Sequence, residues 1–444
     1  MGRSGPRQQP LALSAAAVIV GAVLLVWPAL LNGYPIVFSD THAFLVQGGE
    51  PRMVWDKPFV YGPFLRLLHG GATLWLPLVA QGLLISHLLW LTREAFHTPT
   101  PLFHVSLCAI LAVASPLPWF TALLMPDIFA SVVVLSLFLL GFGDRLDRSG
   151  RIWAGLLATL AIAVHLSHLV IAACCIAVIA LLRFSHVRFA ILPLMAALGL
   201  LIASNVIGYG RFAVSPFGSV FMLARLSADG PVEAVLRREC PRPDWLMCRW
   251  AGNLPKDSDL FLWEGKGPVW TYPGGPQAMA REASAIVAAT VRSEPLAVAQ
   301  AAAVNMLTQL GMIRLGDTLA ASWLESSITG SLRAYFPPVE MERFRAGLQY
   351  QDRLAAYAEG FNTLIPVVLL TGFALLAVGL ARSLGIAASP VSGLAALVFV
   401  GLLANAAATG ALSKPHHRYQ TRIVWLLLAG PLLLVDTRRR EGRE

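Results

Sequence analysis

Apolar runs long enough to cross a bilayer as helices recur along this whole 444-residue chain, and no other feature restricts its fold as strongly. Hydrocarbon offers no partner to a backbone N–H or C=O, so a spanning helix satisfies these groups internally and needs about 17–25 apolar residues. The runs predict spans at 11–31, 73–92, 102–120, 126–143, 152–165, 168–183, 189–207, 360–382, 388–409 and 423–436. The 152–183 stretch also reads as one long helix, with Leu166-Ser167 between His165 and His168 as the candidate break. A chain that is 56% hydrophobic and 13% charged, with mean hydropathy +0.65, lies far from the balance of a soluble domain. The expectation is an all-α polytopic membrane protein with about ten transmembrane helices.

Arginines orient the set, because cytoplasmic loops carry an excess of Lys and Arg. Arg3 and Arg7, Arg93, Arg145 with Arg148 and Arg151, Arg183 with Arg188, Arg382, and the 438–443 tail all fall on one side of the predicted spans. Both termini are then cytoplasmic, as in a multi-pass protein of the bacterial inner (plasma) membrane, and segments 32–72, 116–126, 208–359 and 410–422 face outward. The first span lacks a small-residue cleavage site followed by a mature domain and reads as a retained helix. The chain divides into an N-terminal transmembrane module (1–207), an α-rich extracytoplasmic domain (208–359) between spans seven and eight, and a C-terminal module (360–444) with a basic tail.

The net charge of +9 is therefore mostly topology. The 208–356 stretch is almost balanced in charge, which excludes a nucleic-acid surface, and the C-terminal arginines suit anionic lipid. Cys108, Cys174 and Cys175 lie within spans, where a thiol acts as a small apolar group. Cys240 and Cys248 share one outward loop and predict a disulfide in an oxidising compartment. A zinc pair has no neighbouring Cys or His to complete it. The domain opens with Trp, Pro and Gly punctuation (Trp245, Trp250, Trp263, Trp270, and 272–276), then turns helical from Ala278 to about Leu315 with a break at Ser293-Glu294-Pro295, and Arg343 to Tyr357 reads as a polar helix. Its tryptophans suit a membrane surface better than sugar stacking.

Two outward loops carry more cations than their side predicts. One holds Arg52, Lys57 and Arg66 beside Asp40, His42, Asp56, Tyr61 and His69; the other is Ser413–Arg422, with Lys414, His416, His417, Arg418, Tyr419 and Arg422. Cations at that depth grip a lipid phosphate by charge-assisted hydrogen bonds, or else hold ordinary head groups and snorkel. Asp40 and Asp127 stand beside spans on the outward side without an obvious local cation. Each also suits a helix start: Asp40 could cap a helix from Thr41, and Asp127 follows Pro126 at the first turn of span four. His165 and His168 share a helix face, where polar packing explains them better than a metal.

This layout resembles the GT-C superfamily of integral-membrane glycosyltransferases, which use polyprenyl- or dolichyl-phosphate-linked sugars on the outer face. The resemblance rests on four elements in order: Phe38-Ser39-Asp40-Thr41 after span one, Lys57-Pro58-Phe59-Val60-Tyr61-Gly62-Pro63 in the following loop, Pro126-Asp127 opening span four, and His416-His417-Arg418-Tyr419 before the last span. It implies inverting transfer from a polyprenyl-phosphate donor to a glycolipid, polysaccharide or protein acceptor. Asp40 is the implied general base, with Asp127 as a second acid of the site. Lys57, Arg418 and Arg422 would hold the lipid phosphate, with His42, Tyr61, His417 and Tyr419 assisting. No cofactor motif is present. The absence of a second acid beside Asp40 departs from the metal-dependent relatives and leaves a divalent cation open. Two other classes compete. A transporter or flippase should bury ionisable residues at mid-span, where this chain has almost none. A scaffold or assembly subunit of an envelope-glycan pathway should tolerate loss of Asp40.

Overall fold

The computed structural model describes residues 10–241, 244–383 and 389–435. Among these residues the chain is all-helical, and its only extended pairing is the isolated bridge Ile36–Leu123. Four helices are long and apolar enough to cross a membrane: Trp75–Glu94, Phe184–Tyr209, Leu354–Ser383 and Pro390–Ala411. Shorter apolar helices occupy Leu11–Leu25, Pro101–Ala114, Pro126–Phe142 and Ser167–Leu182. The membrane-protein class stands on these helices. The arginines at 3, 7 and 438–443 lie outside the described residues.

Local chemistry sets the breaks. The first run splits at Val26 into Leu11–Leu25 and Trp27–Asn32, because Pro28 opens a new first turn, and Gly33 closes it at φ 77°. The third run divides at Ser115-Pro116 into Pro101–Ala114 and Leu117–Thr121. Helices Arg148–Ala163 and Ser167–Leu182 flank the break expected at Leu166-Ser167, and Glu294-Pro295 separates Gly275–Ser293 from Pro295–Gly311. The polar helix expected at 343–357 is instead Pro338–Ala346 followed by a loop, with the next helix starting at Leu354. Helix Phe129–Phe142 is buried along its whole length, as a helix apolar on every face must be when others surround it.

Two separate cores result. The larger unites the apolar helices with Leu315, Leu319, Leu324, Ile328, Leu332 and Phe344. The smaller runs from Phe217 to Ile286 and receives Trp55 from the first long loop. The second half of segment 208–359 thus packs into the helical bundle, while the first half forms a body of its own.

That docking fixes the backbone before Asp40. The Gln349 side chain accepts from Val37 N (3.1 Å) and donates to Val37 O (2.7 Å) and Thr318 O (3.0 Å). Buried Glu340 accepts from the Tyr34 hydroxyl (2.9 Å) and Leu74 N (3.2 Å). Ile36 N donates to Ala122 O (3.1 Å), and the Thr41 hydroxyl donates to Leu124 O (3.2 Å). Segments 34–41 and 122–127 therefore reach one end of the bundle as a single hydrogen-bonded unit.

Candidate functional site

Asp40 immediately precedes helix Thr41–Gly49, yet its carboxylate makes no capping bond there. It faces two cations instead. Lys57 Nζ lies 3.2 Å and Arg418 Nη2 3.5 Å from the same oxygen, Oδ2. Lys57 also pairs with Asp56 at 2.7 Å. The Arg418 guanidinium stacks on Phe38 and Tyr419 (4.6 and 4.8 Å to the ring centres) and donates to the Tyr419 hydroxyl at 3.0 Å, while its Nη1 has no hydrogen-bond partner. Burial alone would raise the Asp40 carboxyl, but Lys57 and Arg418 outweigh it and hold the group below the usual carboxylate range. Burial would lower the Lys57 ammonium, and Asp40 and Asp56 raise it above an ordinary lysine. Asp40, Lys57 and Arg418 are therefore charged at neutral pH.

These groups line a cavity of about 1090 Å³, a size that suits a ligand larger than a single sugar. Its polar wall includes Asp40, Asp56, Lys57, Arg418 and Tyr419; Leu169, Val170, Met222 and Leu412 form an apolar flank; Trp263 and Trp323 come from the inserted segment. Lys57 sits 5.7 Å over the Trp263 ring, so the smaller core reaches the charged end of the cavity.

A second charge pair adjoins the same cavity, with Asp127 in its lining and Arg422 behind it. Arg422 Nη1 meets Asp127 Oδ1 at 3.3 Å, with side-chain exposures of 0% and 3%. The other guanidinium donors reach Asn405 Oδ1 (2.9 and 3.3 Å) and Ser167 Oγ (2.9 Å), which ties three helices together. Asp127 makes no capping bond in its turn, Pro126–Ile128.

Four expected site residues sit elsewhere or are already engaged. Arg422 is wholly buried against Asp127 and has no donor facing the cavity. Tyr61 is buried with its hydroxyl 3.5 Å from Gln81 Oε1, because its ring packs among Phe44, Phe64 and Phe129. The His42 ring turns to Ser331 Oγ (2.7 Å), since helix Thr41–Gly49 packs that face on helix Leu324–Tyr335. His417 Nδ1 accepts from Arg314 N at 3.2 Å and joins two backbone segments. None of these four lines the cavity.

Asp257 and Asp259, which carried no local signal, engage Lys414 and His416 of the cation-rich loop. Lys414 Nζ is held by Asp257 (2.7 Å) and Asp259 (2.8 Å), and His416 Nε2 is 3.4 Å from Asp259. Burial would raise the Asp259 carboxyl, but His416 and Lys414 bring it down to about 2. Asp257-Ser258-Asp259 lies roughly 155 positions from Lys414 in sequence, so only the fold joins them. Among the described residues no group of three or more His, Cys, Asp or Glu is placed to hold a metal ion. The carboxylates nearest Asp40 already face Lys or Arg, a donor set unsuited to a resident divalent cation. The Cys240–Cys248 disulfide is formed, as the spacing predicts.

No protein-family model, curated protein or solved structure matches this chain.

Proposed function

We propose that this protein is a membrane glycosyltransferase of GT-C type, transferring a sugar with inversion from a polyprenyl-phosphate donor to a glycolipid, polysaccharide or protein acceptor. One observation carries the reading. A single carboxylate, Asp40, lies between two cations drawn from distant parts of the chain, at the wall of a cavity with polar and apolar sides. The proposed setting is the outer face of a bacterial inner membrane, with about ten spans, both termini cytoplasmic and segment 208–359 outside.

The chemistry follows from the pairing. The donor phosphate enters between Lys57 and Arg418, whose Nη2 already faces Asp40 at the cavity wall. An anion there competes with Asp40 for both cations, so the carboxylate regains basicity when donor is bound. The acceptor oxygen attacks the anomeric carbon as its proton passes to Asp40. The anomeric C–O bond to phosphate breaks, and its electron pair leaves on the phosphate, which Lys57 and Arg418 stabilise. Tyr419 orients Arg418. Asp127 acts indirectly, by holding Arg422 and with it the helix His417–Val424 that carries Arg418. The test is Asp40→Asn in a complementation assay scored by the glycan product, with expression and membrane insertion checked in parallel. Wild-type product from that variant removes the assignment.

The scaffold reading is favoured by one feature: every one of these carboxylates has an internal cation partner, so the charges are satisfied without a ligand. Wild-type product from Asp40→Asn would establish that reading in its place.

A further inference from the structure

A second concavity, of about 840 Å³, lies where helix Val187–Tyr209 runs out into the inserted segment. Arg211, Ser215 and Ser219 form one wall, Arg281 and Ser284 from helix Gly275–Ser293 the other, and the Ser219 hydroxyl ties the walls by donating to Ala280 O at 2.9 Å. No carboxylate lines it. Several arginines elsewhere in the segment are neutralised, Arg225 by Asp229, Arg237 by Glu233, Arg238 by Glu294, Arg314 by Glu359 and Arg345 by Glu325, while Arg249, Arg292, Arg333 and Arg353 have no ion pair among the described residues but line neither cavity. Arg211 and Arg281 have no ion-pair partner among the described residues, and Arg211 only stacks on Phe217, 5.5 Å from its centre. Immediately beside Arg211, Phe212 and Ile207 are 85% and 86% exposed, continuing the apolar surface of a helix long enough to span a membrane.

We infer that this concavity binds the phosphate of an anionic membrane lipid, with Arg211 and Arg281 taking the phosphodiester oxygens, Ser215 and Ser284 donating to them, and Phe212 and Ile207 lying in the acyl region beneath. Guanidinium forks match phosphate geometry, and the lipid rather than a free anion is the source because the cations adjoin an exposed apolar helix end. The site shares Ser215 with the wall of the Asp40 cavity but uses none of its charged groups, and does not depend on that cavity's function.

The full chain, purified in detergent, is titrated with phosphatidylglycerol, phosphatidylcholine and inorganic phosphate and followed by native mass spectrometry. Wild type should retain phosphatidylglycerol in preference to phosphatidylcholine. Arg211→Gln with Arg281→Gln should weaken that retention by about fivefold per guanidinium removed, while the double Lys variant keeps most of it. Unchanged retention in a Gln variant with wild-type thermal unfolding overturns the site. Should that variant not fold, the wild type still decides: absence of a phosphatidylglycerol preference overturns the inference, and so does full displacement of the lipid by inorganic phosphate, which would mark a free-anion pocket.

Discussion

The two acid–arginine pairs at the end of the bundle look alike in sequence and differ in kind. Asp127 and Arg422 are almost wholly buried, with only Asp127 reaching the cavity wall, and the guanidinium also donates to Asn405 and Ser167. Asp40 keeps 26% side-chain exposure, its cations 13% and 12%, and Arg418 retains an unused donor. A pair buried this deeply, with its guanidinium bound to two further helices, is suited to hold helices together, because separating it leaves a charge with little solvent or partner. A more exposed pair at a cavity wall can exchange partners with an incoming anion. Burial, rather than residue type, separates the structural pair from the proposed chemical one.

The largest effect that would sharpen this contrast is Asp40→Asn. Transfer should fall by about a hundred- to ten-thousandfold, the usual contribution of a general base, with the thermal unfolding midpoint nearly unchanged. Asp127→Asn should do the reverse. Removing one partner of a buried pair costs about 3–5 kcal/mol, so chemical denaturation should show a large stability loss, and any activity loss should follow the folded fraction. If the two variants behave alike in both assays, the contrast fails.

Arg418→Lys keeps the charge but removes the fork and its stacking on Phe38 and Tyr419. Steady-state kinetics should show donor KM rising about tenfold, as expected for one lost hydrogen bond to a charged group, while the same change at Arg422 should register mainly as lost stability. The smallest effect is in pH. Asp40 is depressed, so its pairing is complete above the unfolded carboxylate value of about 3.9 and is lost as pH falls through the lower folded value. The acid limb of kcat/KM should accordingly lie below about pH 4. In Lys57→Met the limb should move upward, because burial then acts with less opposition. An unmoved limb would separate Lys57 from the titration of Asp40.

Much of this was legible locally. Apolar length marked the helices, Pro295 marked a break, and two cysteines eight positions apart marked the disulfide, whereas the breaks at Pro28 and Pro116 fall inside runs that read as continuous spans. Asp40, Lys57 and Arg418 stood out because charge is rare beside apolar runs. Tyr61, His42 and His417 stood out for the same reason yet turn away from the cavity. Each residue advances about 100° around a helix, so proximity in sequence does not choose a facing direction. The arginine partners of Asp40 and Asp127 were also invisible, since Arg418 and Arg422 lie almost 300 or more positions further on.

By itself, then, the amino-acid order determined a helical membrane protein, because backbone hydrogen bonds in hydrocarbon must be closed within each apolar run. It also determined a short cross-linked loop and a small set of unusual charges. The tertiary structure decided the rest: which charge meets which, which pair is more deeply buried, and that Glu340 and Gln349 hold the segment before Asp40 from more than 300 residues away. Those outcomes depend on how helices pack against one another, and packing sums many weak contacts between parts of the chain that carry no local record of each other.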